Sequence, residues 1–235
     1  MDEFWNAFRI AGALLLGGDH ELYEVIARSL MVSLSAAVIA PLVAMPLGAL
    51  LAITRFPGRK VLVAVVNALM GLPSVVVGLV VYILLSRSGP MGGWGLLFTP
   101  GAMIIAQALL IAPLICALTR QTLEELWAEY AEQLRSFGVT LPRMLATLLW
   151  EGRFNLLTTI LAGFGRAIGE VGAVLLVGGN IAHVTRVMTT SIALETARGN
   201  LALALAIGLV LLLVALAVNG VAALTRDYAL RHGIR

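Results

Sequence analysis

Apolar runs longer than the roughly 18 residues that cross a bilayer recur along this chain. Composition decides where such runs can go. Of 235 residues, 60% are hydrophobic and 12% are charged, and the mean hydropathy is +0.97. A soluble domain carries about 25% charged residues, so this chain has too few polar side chains to cover a water-facing surface. It reads as an all-α, polytopic membrane protein embedded in a lipid bilayer. The net charge of +3 points to no nucleic-acid partner, because the basic residues are scattered over short segments between apolar runs. A single cysteine, Cys116, can form no internal disulfide.

Five spans are expected, over about 29–54, 61–85, 101–118, 155–177 and 201–224. Pro41 and Pro46 in the first, Pro73 in the second and Pro113 in the third should bend or break their helices. In the fifth, LALALAIGL alternates like a strand, but the length of the apolar run favours a helix. Residues 4–17 are apolar but too short to span, and suit an interfacial helix within an N-terminal segment 1–28. The transmembrane domain is then 29–224, with a basic tail at 225–235.

Connections 55–60, 120–153 and 225–235 share one side and hold ten basic residues. The other side holds five: Arg9, Arg28, Arg87, Arg186 and Arg198. This bias places the first set in the cytoplasm, with the N-terminus outside and the C-terminus inside. The start, Met1-Asp2-Glu3, is acidic and unlike a cleavable signal peptide, so the first span is expected to act as an uncleaved insertion signal.

Residues 120–154 differ from the spans around them. Charged residues such as Glu124, Glu129, Glu132 and Arg135 alternate with Leu123, Leu126, Trp127, Tyr130 and Leu134 at helical spacing. Gly138 should end one helix, and Thr140 with Pro142 should start the next. This predicts a helical hairpin outside the bilayer core, with Phe137 and Leu141 as apolar anchors for another protein. A hairpin that only caps the bundle would show the same pattern.

In the fourth span Gly165, Gly169 and Ala173 are four apart and predict a small-residue ridge for helix packing. Arg166 and Glu170 are also four apart, which predicts an intramembrane pair on the face turned into the bundle. The preferred reading is a structural pair, because an exposed arginine would trap a dianion and a neutralised one would let it pass. The following connection offers Asn180, Thr185, Arg186, Thr189 and Thr190. Such donors suit a tetrahedral oxyanion, which only accepts hydrogen bonds. The alternatives are an ordinary solvated loop or a docking surface for an external protein, with docking preferred of the two. His183 has no neighbouring carboxylate or cysteine in the sequence, so no metal site is expected.

A phosphate-binding loop needs G-x-x-x-x-G-K-[ST]. The one lysine, Lys60, stands between Arg59 and Val61, so no such loop exists in this chain. Neither catalytic residues nor a cofactor are expected here.

Three stretches carry a family resemblance. Glu132, Gly138 and Leu148 match the EAA loop of ABC importer permeases, with Gln133 and Leu134 at its alanine positions and Trp150-Glu151 in place of its Leu-Pro. GFGRAIGEVGAVLLVGGNIAHVTRVMTTSIALET resembles the oxyanion branch of that family, which includes molybdate and sulfate permeases. MGLPSVVVGLVVYILLSRSGP (70–90) and LLFTPGAMIIAQ (96–107) are similar to the tungstate-type permeases.

The resemblance implies a type I ABC importer permease fold, with five core helices and the N-terminal interfacial helix. It implies a homodimer that binds two cytoplasmic ATPase subunits, which hold ATP and magnesium, and an external oxyanion-binding protein. It further implies uptake of an oxyanion, tungstate first with molybdate or sulfate as alternatives, by alternating access. In such a permease Glu132, Phe137, Gly138, Leu141 and Leu148 would couple to the ATPase.

Competing readings are a secondary transporter using Arg166 and Glu170 as an ion relay, a membrane enzyme, and a scaffold. The missing internal repeat and the large charged hairpin speak against the first. The membrane-facing segments lack a His/Asp/Glu cluster suited to the second, and the third leaves the fourth-span charges unexplained.

Overall fold

The computed structural model describes residues 2–17 and 20–231. Every regular element among them is helical. In chain order the α-helices are α1 (Asp2–Leu16), α2 (His20–Ile53), α3 (Arg59–Leu69), α4 (Ser74–Leu85) and α5 (Pro100–Ser136). Then come α6 (Leu141–Glu151), α7 (Arg153–Ile168), α8 (Gly172–Gly178), α9 (Met188–Ala197) and α10 (Leu201–Arg231). Three are long and apolar enough to cross a membrane: α2, α5 and, over Leu201–Leu224, α10. Two broken pairs, α3 with α4 and α7 with α8, bring the number to five if each pair is one span.

The all-helical membrane expectation therefore holds, while several element boundaries differ. The second span stops at Met70–Pro73, because Pro73 lacks a backbone donor and disfavours helix at Leu72. The fourth stops after Ile168, where Gly169 and Gly172 flank Glu170 and helix propensity is low. The third span and the first arm of the hairpin form one helix, α5, with no boundary where charge begins. The polar connection after α8 contains a helix of its own, α9. The last helix absorbs most of the expected tail, of which 232–235 lie outside the described residues.

The chain divides into two compact units. One comprises Ser35–Pro73 and Ala108–Ala167. Its core joins Ala49, Ala52 and Ile53 of α2 to Leu123 of α5 and Leu148 of α6. Small residues permit this approach: a Cβ on Gly48 would lie 2.5 Å from the Cys116 carbonyl oxygen. A Cβ on Gly163 would lie 3.0 Å from Ile115, and one on Gly152 would lie 3.2 Å from Leu123.

The other unit comprises Met1–Leu34, Ser74–Gln107 and Ile168–Arg235. Here α10 packs on α1 and α9, and α4 packs on α8. Val25, Met188, Ile207 and Val210 form one buried cluster. The α4–α8 contact depends on Gly78, where a Cβ would stand 2.7 Å from Ala173 Cα. Without a hydrophobic drive between helices in lipid, such small-residue contacts supply the dispersion that holds them.

Candidate functional site

The hairpin tip is built by helix-end chemistry. Gly138 has φ +61°, a left-handed conformation that favours glycine, and its N–H donates to the Arg135 carbonyl. Val139 N–H donates to the Leu134 carbonyl, closing the end of α5. Thr140 then takes an extended N-cap conformation with Pro142 in the first turn of α6, although its hydroxyl makes no capping bond.

This geometry leaves Phe137 72% exposed and Leu141 45% exposed, while Glu132 is exposed beside them. Leu148 is fully buried in the core with Leu123. Motif position and contact position thus separate: the tip residues can meet another protein, and Leu148 holds the hairpin together.

A charged cluster ties this hairpin to the 54–60 connection. Glu124 on α5 accepts from Arg120 at 2.5 Å and from Arg59, and Arg59 Nε donates to the Leu51 carbonyl at 2.8 Å. The sequence shows these charges but not all of their pairing. The Arg120–Glu124 spacing of four was a legible signal; the Arg59 partner, 65 residues from Glu124, was not.

The helix break changes the fourth-span reading. Four-residue spacing aligns side chains only on a continuous helix, and the helix does not continue through 169–171. Glu170 Oε1 instead accepts from the Ala173 N–H at 3.0 Å, at the start of α8. The Glu170 carbonyl accepts from Thr189 Oγ1 at 2.8 Å. Arg166 is exposed in the last turn of α7 and makes no ion pair among the described residues. The expected Arg166–Glu170 pair is therefore replaced by a helix-start carboxylate and a separate exposed cation.

The small-residue ridge divides in the same way. Ala173 is buried against Gly78, whereas Gly165 and Gly169 are exposed. A Cβ at Gly165 would meet nothing within 4 Å. The closely packed glycines of the adjacent turns are Gly163 and Gly172.

The connection from α8 to α9 is tightly self-bonded. Gly179, Asn180 and His183 all have positive φ. Thr185 is fully buried; its hydroxyl donates to the Gly178 carbonyl at 2.5 Å and accepts from the Ile181 N–H at 2.9 Å. Thr190, also fully buried, accepts from the Val187 N–H at 3.1 Å, and Thr189 bonds the Glu170 carbonyl. Three of the five expected oxyanion donors are thus committed to the backbone. Asn180 retains a buried side-chain oxygen without a partner among the described residues, and Arg186 reaches Glu21 at 3.5 Å.

The end of α2 clamps this connection. Arg28 donates to the carbonyls of His183 at 2.8 Å and Arg186 at 3.1 Å, and is held by Glu24 at 2.5 Å. Glu24 Oε2 also lies 2.8 Å from His183 Nδ1. Ser29 accepts from the Met188 N–H at 2.8 Å. The clamp formed by Arg28, Glu24 and Ser29 is not legible from sequence, because the loop groups they hold are more than 150 residues away.

Residues 44–226 match the family model of the binding-protein-dependent transport system inner membrane component. The chain belongs to that family. It is similar to the tungstate uptake system permease protein TupB of Peptoclostridium acidaminophilum, with 42% identity over 94% of this chain and 97% of the relative. It is similar to a probable anion ABC transporter permease protein of Haloferax volcanii, with 38% identity over 88% and 91%. A TupB of Campylobacter jejuni is 35% identical over 93% and 92%.

This permease is therefore a multi-pass inner-membrane protein of a transport family rather than of a catalytic one. It carries an exposed apolar tip, a cluster joining that tip's hairpin to α2, and an exposed cation at a helix break.

Proposed function

We propose that this chain is the membrane subunit of an ATP-driven importer for tungstate, with two copies forming the pathway. The observation that carries the reading is the match along nearly its whole length to tungstate uptake permeases, at 42% and 35% identity. ATP is bound and hydrolysed by two separate cytoplasmic subunits, and an external binding protein delivers the anion.

The exposed tip of Phe137 and Leu141 around Gly138 docks into the ATPase subunit, with Glu132 at its edge. The buried Leu148 and the Glu124 cluster pass its displacement to α2 and α5 as a rigid-body movement. The N-terminus is external and the hairpin cytoplasmic, as the arginine bias requires. The loop between α8 and α9 is then external. Its exposed Ile181 and Val184 suit docking of the binding protein, while its buried threonines shape it.

Arg166 lines the anion route or faces the second copy. A charge exposed on a membrane helix needs water or protein beside it, since lipid is a costly neighbour. In water a unit pair at 4 Å is worth about 1 kcal/mol, so a dianion gains about 2 kcal/mol. That is attraction without trapping, which removes the objection to an unpaired arginine.

The test is ATP hydrolysis by the reconstituted permease–ATPase complex with its binding protein. Stimulation by tungstate above molybdate and sulfate supports the reading; stimulation by sulfate alone moves the chain to the sulfate branch.

A further inference from the structure

A cavity of about 300 Å³ lies where the loop-side ends of α2 and α10 meet α9. This is at the lower end of small-molecule site volumes, about 300–1,000 Å³. Its floor is apolar, with Leu22 and Val25 from α2 and Leu203 and Ile207 from α10. Its rim is charged and balanced: Arg186 faces Glu21 at 3.5 Å, and Arg198 faces Glu195 at 2.8 Å.

Ser191 and Leu194 of α9 also line it. Ser191 is 7% exposed, and its buried hydroxyl has no hydrogen-bond partner among the described residues. Arg186 Nε is buried and unpartnered in the same way. Buried donors of this kind are rare unless something accepts from them.

We propose that this cavity holds the headgroup region of a zwitterionic phospholipid bearing a primary ammonium, phosphatidylethanolamine. The floor residues sit near the ends of two membrane-crossing helices, where apolar helix surface gives way to a polar loop. That is the level of lipid headgroups. The two-plus-two rim matches a zwitterion: phosphate oxygens accept from Arg186, Arg198 and Ser191, and the ammonium donates to Glu21 and Glu195. An anionic headgroup would leave both carboxylates facing a phosphate. A trimethylated ammonium has no N–H to donate to them. A single acidic or basic protein side chain would satisfy only one sign of the rim. The proposal does not depend on which oxyanion is carried.

Native mass spectrometry of the full-length permease from detergent, supplied with defined phosphatidylethanolamine, phosphatidylglycerol or phosphatidylcholine, tests this. Phosphatidylethanolamine should be retained best. Arg198→Ala, at a mostly exposed rim position, should weaken its retention about tenfold, as loss of one charged hydrogen bond implies. Leu194→Trp should abolish retention by filling the cavity, and if that variant misfolds Arg198→Ala still decides. Equal retention of the three lipids, or wild-type retention by Arg198→Ala, overturns the proposal. Displacement by soluble glycerophosphoethanolamine at equal concentration would assign the cavity to a soluble ligand instead. Loss of binding-protein stimulation in Leu194→Trp with unchanged lipid retention would make it a protein-docking pocket.

Discussion

Thr185 shows how a polar residue in a transport protein can be structural. Its hydroxyl bridges the Gly178 carbonyl and the Ile181 N–H inside a fully buried position. Thr185→Val keeps the shape and removes both bonds, so it should destabilise the protein by about 1–3 kcal/mol. Thr185→Ser should restore most of that, measured as thermal denaturation in detergent. Arg166 and Glu170 give a second case. Glu170 serves the start of α8, and Arg166 makes no ion pair among the described residues. Arg166→Ala should therefore lower transport with stability nearly unchanged, while Glu170→Ala should lower stability. The double variant should show the sum; rescue of Arg166→Ala by Glu170→Ala would restore the paired reading. The residue types needed for this chemistry were legible in the sequence. Their partners were not, because Arg28, Ser29 and Arg59 act on groups far along the chain that only folding brings near.

At the scale of elements, apolar run length placed the long helices, since in lipid each backbone group must be satisfied within its own helix. The same signal could not locate the breaks at Met70–Pro73 and Gly169–Val171, because apolar runs continue across them. Proline and glycine were the local cues, and their effect depends on neighbours such as Ala173 against Gly78. The hairpin was legible because its caps and its amphipathic period agree. What the motif match could not give is which matched residues face outward. Phe137→Ala with Leu141→Ala should weaken ATPase-subunit association while the permease stays folded, read by co-purification and circular dichroism. Leu148→Ala should do the reverse, destabilising by about 2–5 kcal/mol through a core cavity. Glu124→Gln should leave the ATPase bound but reduce coupling, seen as hydrolysis no longer matched by uptake, because the hairpin loses its charged tie to Arg59 and Arg120.

At the scale of the molecule, the division of labour rests on what this chain has and lacks. It has helices long enough to cross a membrane and an exposed hairpin tip, and its sequence has no phosphate-binding loop. In the proposed function, energy arrives through the tip from a separate ATPase subunit, and selectivity rests largely on the protein that delivers the anion. An ion-coupled carrier would need no such tip. The decisive measurement is tungstate accumulation in proteoliposomes holding the permease, its ATPase subunits and the binding protein. The account predicts uptake that requires ATP on the ATPase side, is insensitive to collapse of ion gradients, and is lost with the Phe137/Leu141 double variant. Tungstate uptake by the permease alone, driven by an imposed ion gradient without ATP, would contradict it.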